Sequence, residues 1–234
     1  MLTISRARDA ASGHPPLLFA NQRLEETEEL SIVGLRLNQR LFWGGHIRQL
    51  AISCSKQLGA LRRASSCLPR PALLAAYKGT IRARLEYLPP VWSGGPQTDL
   101  QHLHRLQRRA LRIMQFDGCD STTLRGLQLQ PMNERWRISS LALLHRAETG
   151  VAPALIVDLI PGATERRKDT RASVATHDRA FRVPRSRTNH HATSFLPRTP
   201  RQWISLPAAA LPGGPQHREL QWLKTFATRH LHVA

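Results

Sequence analysis

Thr98–Ile113 reads TDLQHLHRLQRRALRI. Leu103, Leu106, Ala110 and Ile113 recur at steps of three and four, which lines them along one side of a helix. Thr98 and Asp99 stand where a helix cap is wanted. Arg105, Arg108, Arg109 and Arg112 recur at steps of three, one and three, a basic stripe opposite or flanking the apolar face. The stretch is therefore an amphipathic helix with arginine on its outer side, and its neighbours can be tested for the same period.

They carry it too. In 71–88, Pro71 suits a first turn, Leu74, Tyr77, Ile81 and Leu85 form a stripe, and Pro89-Pro90 is expected to stop the helix. In 45–63, Ile47, Leu50, Ala51, Cys54, Leu58 and Leu61 share a face. A fourth helix over about 132–149 holds Trp136, Leu141 and Leu144, with Gly150 placed for its C-terminal cap. Before these helices, the apolar runs Leu17–Ala20 and Leu30–Leu37 flank the polar stretch Asn21–Glu29 and read as one β-hairpin. Glu25, Glu26, Glu28 and Glu29 make an acidic cluster within it.

The ends read differently. Residues 1–16 look like a loose leader, and 161–215 is rich in proline and arginine without periodicity, so it is expected to be irregular. A final helix over roughly 216–231 offers Leu220, Leu223, Phe226 and Leu231 as its apolar side. The expected organisation is a leader (1–16), a hairpin (17–44), a helical domain (45–160), an irregular basic segment (161–215) and a C-terminal helix (216–234). The fold class is mainly α.

Charge narrows the function. The chain carries +18 over 234 residues, and such a surface attracts polyanions, of which nucleic acid is the commonest inside cells. Thirty of the 34 basic residues are arginine, so coding bias contributes to the excess. The charge is concentrated nonetheless: from Arg36 to Arg112 there are fourteen basic residues against Glu86 and Asp99 alone. A second concentration, Arg166 to Arg201, has ten against Asp169 and Asp178. Three cysteines without C-x-x-C spacing argue for a reducing, intracellular setting. The cluster Arg166-Arg167-Lys168 is the argument for a nuclear one, and no apolar run reaches the ~18 residues a membrane span needs.

Signals of catalysis are missing. Two-metal phosphoryl transfer needs carboxylates that hold both cations ~4 Å apart, and the nearest aspartate pair is Asp117 and Asp120 in FDGCD. His102 with His104, and His190 with His191, lack the spacing of a zinc site. No G-x-S-x-G, P-loop or G-x-G-x-x-G occurs. No metal or other cofactor and no small-molecule substrate is expected.

Read in order, several strings resemble the C-terminal half of LINE-type (non-LTR) retrotransposon reverse transcriptases. Ser31-Ile32-Val33-Gly34-Leu35 is similar to a strand of that family, and Leu41-Phe42-Trp43 with His46-Ile47 to the entry into its thumb. Leu58-Gly59-Ala60-Leu61-Arg62-Arg63 resembles the end of a thumb helix. The fullest match runs through Ala76-Tyr77-Lys78, Ile81-Arg82, Arg84-Leu85-Glu86-Tyr87 and Val91-Trp92. Leu106-Gln107-Arg108-Arg109-Ala110 with Arg112-Ile113 follows it. Ser194-Phe195-Leu196-Pro197-Arg198-Thr199 and Trp203-Ile204-Ser205-Leu206-Pro207 are similar to the family's closing motif. The resemblance covers roughly 31–232, and its order and intervals are more specific than any one string. Gly44-Gly45 replaces a polar linker before His46 and is expected to weaken a helix start there.

The resemblance implies a region after the palm of an RNA-directed DNA polymerase, in which the catalytic aspartates would lie before residue 1. Residues 45–113 would then be a thumb that grips a template–primer duplex. The expected activity is binding of nucleic-acid backbone (RNA, DNA or a hybrid duplex) without catalysis and without sequence specificity. The residues expected to carry it are Arg62, Arg63, Lys78, Arg82, Arg105, Arg108, Arg109 and Arg112. Two other readings stay open: a transposon remnant without function, and a helical protein-interaction module with a basic solubilising surface.

Overall fold

The protein is described by a computed structural model covering residues 2–4, 17–116, 121–160 and 181–206. The leader beyond residue 4, residues 117–120, residues 161–180 and the expected helix over 216–231 lie outside the described residues.

The chain is mainly helical, and it opens with two hairpins where the sequence predicts one. Strand β1 (Leu18–Phe19) pairs with β2 (Gln22–Arg23), and β3 (Glu29–Ile32) with β4 (Leu35–Asn38), both antiparallel. The two apolar runs therefore never pair with each other: the first pairs with the polar Gln22-Arg23, and the second turns back on itself. The reason lies in the two-residue loops Ala20-Asn21 and Val33-Gly34, whose four φ angles are all positive (49°, 60°, 48° and 79°). Positive φ at both central residues is the turn that matches the twist of paired strands. The Asn21–Glu29 stretch mostly bridges the two hairpins. Its acidic cluster ends in Glu29, which pairs with Arg36 across the β3–β4 ladder at 3.0 Å.

Ten helices follow among the described residues: α1 (Gly44–Ala64), α2 (Arg70–Ala76), α3 (Ala83–Leu85), α4 (Pro89–Trp92), α5 (Gln97–Ile113), α6 (Ser121–Gly126), α7 (Met132–Glu148), α8 (Ala154–Leu159), α9 (Asn189–Thr193) and α10 (Phe195–Ile204). A π-helical stretch, Tyr77–Arg82, joins α2 to α3 in one rod. Tyr77, Ile81 and Leu85 are fully buried along it, and Leu73 is buried beside Leu74, which packs partly buried against the same core.

Several boundaries differ from the sequence expectations. The rod ends at Leu85, three residues early, because Leu88 turns left-handed (φ 49°) and Pro89-Pro90 open a helix of their own. Proline fits there because first-turn N–H groups have no intrahelical partner. Helix α1 begins at Gly44 despite the paired glycines. A side chain at Gly44 would crowd Asp99, 2.8 Å from where its Cβ would stand. Pro96, not Thr98 or Asp99, caps α5, and Asp99 sits inside the first turn, where a carboxylate meets the positive end of the helix dipole. Gly150 follows α7 in the left-handed conformation (φ 71°), as expected of a cap.

The main core gathers Ile47, Cys54 and Leu58 of α1, Tyr77, Ile81 and Leu85 of the rod, Leu103, Leu106 and Ala110 of α5, and Trp136 of α7. At its centre the rod is fastened to α7. Trp136 Nε1 donates to Leu85 O and Trp92 Nε1 to Tyr87 O, both at 2.8 Å. Carbonyls at a helix end have no intrahelical donor, so these indoles close the end of the rod. The two rings then meet edge to face at 5.2 Å. Beside them Glu86 accepts two hydrogen bonds from Arg135, Nε to Oε1 at 3.1 Å and Nη2 to Oε2 at 2.6 Å, and one from Arg82 Nε. Tyr87 Oη reaches back to Val33 O at 3.0 Å and so holds the β3–β4 turn against the rod.

A second cluster (Ile138, Leu141, Leu144, Phe181, Trp203 and Leu206) overturns the expectation that 161–215 is irregular throughout. Helices α9 and α10 form within it, and Pro200 lies inside α10. Proline in a helix interior removes one hydrogen bond. Here its ring is buried, and Trp203 packs against α7 with Phe181 edge-on at 5.7 Å and His145 stacked at 6.1 Å. Burial of a tryptophan outweighs the single lost bond. Gly94 permits the seating: a Cβ there would lie 2.0 Å from Thr193 O.

Two predictions follow from these contacts. Burial acts to raise the Glu86 pKa, but Arg135 and Arg82 together outweigh it and hold it below the ordinary 4.5. A depressed carboxylate stabilises the fold above its unfolded pKa and loses that contribution as pH falls through the folded value. Glu86→Gln should therefore cost about 3 kcal/mol at pH 7, since it strands the buried Arg82 guanidinium and leaves the half-buried Arg135 without its carboxylate, and should flatten the acid limb of a urea-stability profile. Gly94→Val should speed amide exchange across α9 and α10 while leaving exchange in α1 and α5 unchanged.

Candidate nucleic-acid interface

Helices α1 and α5 make the most extensive helix–helix contact of the fold, and they run side by side in the same direction. Near their starts Arg48 Nη1 meets Asp99 Oδ2 at 3.1 Å. Near their ends Arg70, the first residue of α2, donates to Gln115 Oε1 at 3.3 Å and lies over the Phe116 ring. Side chains on the outer edges of two parallel helices leave a trough between them. That trough, about 700 Å³, has walls of Arg48 and Lys56 on α1 and His102, Arg105, Arg109 and Arg112 on α5, with Ala51 and Leu106 among its apolar residues.

No carboxylate lines it. Asp99, the nearby acid, is buried and already paired with Arg48, whose side chain remains 63% exposed. Five permanent cations thus face one trough with no acid among the lining residues. From Arg105 to Arg112 the stripe extends about 10 Å along the helix axis, roughly three base-pair steps. Arginine's fork can contact phosphate oxygens bidentately, and its weak hydration makes partial desolvation cheap.

The eight residues expected from the sequence divide. Arg105, Arg109 and Arg112 meet in the trough. Arg108 is exposed on the flank of α5 that faces His104, whose pKa is lowered by burial first and then by the Arg108 charge. Arg62 and Arg63 are exposed in the last turn of α1, beyond the trough lining. Lys78 and Arg82 border a separate cavity of about 790 Å³ with Glu86, Arg125 and Arg135.

Arg82 is a correction: only 7% exposed, it hydrogen-bonds Glu86 and is spent on the fold. Arg48, Lys56 and His102 were missed. Arg48 and Lys56 do lie on the outward face of α1, at steps compatible with Ile52, Ser55 and Arg63. Their partner helix, however, is 50 residues downstream and not legible from periodicity.

Among the described residues no three His, Cys, Asp or Glu side chains gather where they could hold a metal ion. None of the helices searched is long and apolar enough to cross a membrane. Cys54 is buried, and burial pushes its thiol up to about 11, against the opposing charge of Arg84, which makes it a poor nucleophile. Compared with protein-family models, with curated proteins and with solved structures, the chain matches none.

Proposed function

We propose that this chain binds the phosphate backbone of a nucleic-acid duplex in the α1–α5 trough, without catalysis and without reading sequence. The observation that carries the proposal is the convergence of Arg48, Lys56, Arg105, Arg109 and Arg112 on one trough with no acidic lining residue. The trough falls in the segment that resembles the thumb of LINE-type reverse transcriptases, so the proposed role is that of a non-catalytic part of an RNA-directed DNA polymerase that grips its template–primer. RNA, DNA and their hybrid all present the required phosphates.

Binding of this kind gains its free energy by releasing counterions, so it weakens steeply with salt. Arg48 already shares its charge with Asp99, so with the other four cations engaged the slope of log K against log salt should be about −4. The test is fluorescence anisotropy of a labelled RNA–DNA duplex titrated at several salt concentrations. Reversal of Arg105, Arg109 and Arg112 together to glutamate should weaken binding at least a hundredfold. Lys56→Glu should lower the slope by about one, while Arg108→Glu should do less than Arg109→Glu. Salt-independent binding, or binding by the folded triple variant equal to wild type, would overturn the proposal and favour a protein-interaction module.

A further inference from the structure

A second basic site lies on another side of α5. Helices α5, α7 and α10 and the loop after Trp92 line a small, half-open cavity of about 150 Å³. Leu100 and Trp136 form an apolar wall, and Arg137 and Arg198 face the cavity together with His104, Asn133 and Gln202. No carboxylate lines it.

Arg198 is the less compensated of the two guanidiniums, with burial alone acting on its charge. Arg198 donates to Pro90 O at a long 3.4 Å, and Arg137 to Ser205 Oγ at 3.2 Å. Glu134 acts on Arg137 through space, but it does not line the cavity. Arg137 Nε and Gln202 Oε1 are buried and have no hydrogen-bond partner among the described residues. Burial pushes the Arg198 pKa down to about 10 and lowers that of Arg137. A cation removed from water without a carboxylate is costly, and an anion between the two would offset that cost.

The surroundings add to the positive potential. Gln97 is the first residue of α5 and Asn133 the second of α7, so two helices of 17 residues begin at the cavity wall. His104 has its pKa lowered by burial and by Arg108, so it faces the cavity as a neutral imidazole able to donate one hydrogen bond. At about 30 Å³ per water the cavity has room for about five waters. That is the scale of a phosphate group, and well below the ~300 Å³ at which pockets for larger ligands begin.

We propose that this cavity is a binding site for a phosphate monoester or free phosphate, held between the guanidiniums of Arg137 and Arg198. It is separate from the trough and does not depend on it.

The experiment is a thermal-shift titration of the full chain with inorganic phosphate replacing chloride at constant ionic strength. A saturable rise in Tm is expected. The response should fall at least tenfold in Arg198→Gln and persist in the Arg105/Arg109/Arg112 glutamate variant, which separates this site from the trough. Should Arg198→Gln fail to fold, Gln202→Glu is the second variant. Its carboxylate would occupy the anion's place, leaving the chain folded and phosphate-insensitive.

Matched oligonucleotides with a 5′-phosphate or a 5′-hydroxyl distinguish the source. Preference for the phosphorylated end, abolished by Gln202→Glu, assigns the anion to a nucleic-acid terminus. Equal binding of the two, with the inorganic phosphate response intact, assigns it to the free ion. A Tm rise no larger than chloride gives, or one unchanged in folded Gln202→Glu, would overturn the site.

Discussion

The Glu86 carboxylate ties the α2–α3 rod to α7. It sits where the α2–α3 rod ends, clasped by Arg82 from the same rod and by Arg135 from α7. Two tryptophans close the same rod end through Leu85 and Tyr87 carbonyls, and Tyr87 in turn holds the β3–β4 turn. Loss of the charge would leave the buried Arg82 guanidinium in a low-dielectric setting, which is costlier than loss of a surface pair. The core, the hairpin and the second cluster are joined through this junction, because α7 runs from it into the Trp203 cluster.

That junction explains why basic residues in one chain serve different ends. Arg82 and Arg135 neutralise a buried carboxylate and so belong to the fold. Arg105, Arg109 and Arg112 point away from the core, where like charges face water and a shared trough. Repulsion among such cations is tolerable while water screens them, and a polyanion relieves it. Arg137 and Arg198 stand between these cases: withdrawn from water, yet not matched by a lining carboxylate.

Much of the fold was legible in the residues. Helices α1, α5 and α7, together with the rod, follow from apolar spacing, since a helix must bury one face whatever it packs against. The strings that carry the resemblance include Tyr77, Glu86, Trp92 and Trp203, and each has a structural role in the core or at the junction. The missed features are of two kinds. Positive φ at Ala20 and Val33 contradicts local preference, so one hairpin was read where two exist. The proline-rich 161–215 segment reads as irregular chain, but burial of Trp203 prevails over Pro200 inside α10.

The sequence by itself determined the mainly helical class, the amphipathic faces and the surplus of positive charge. These depend on neighbours within a turn or two of helix, where spacing alone dictates which side chains share a side. Only the tertiary structure decided which cations act together. Arg48 and Lys56 join Arg105, Arg109 and Arg112 because α1 and α5 pack in parallel, and Arg82 is withdrawn because Glu86 lies one turn away beneath Arg135. Charge acts through distances across the folded chain, and those are set by packing between elements that the local pattern cannot see.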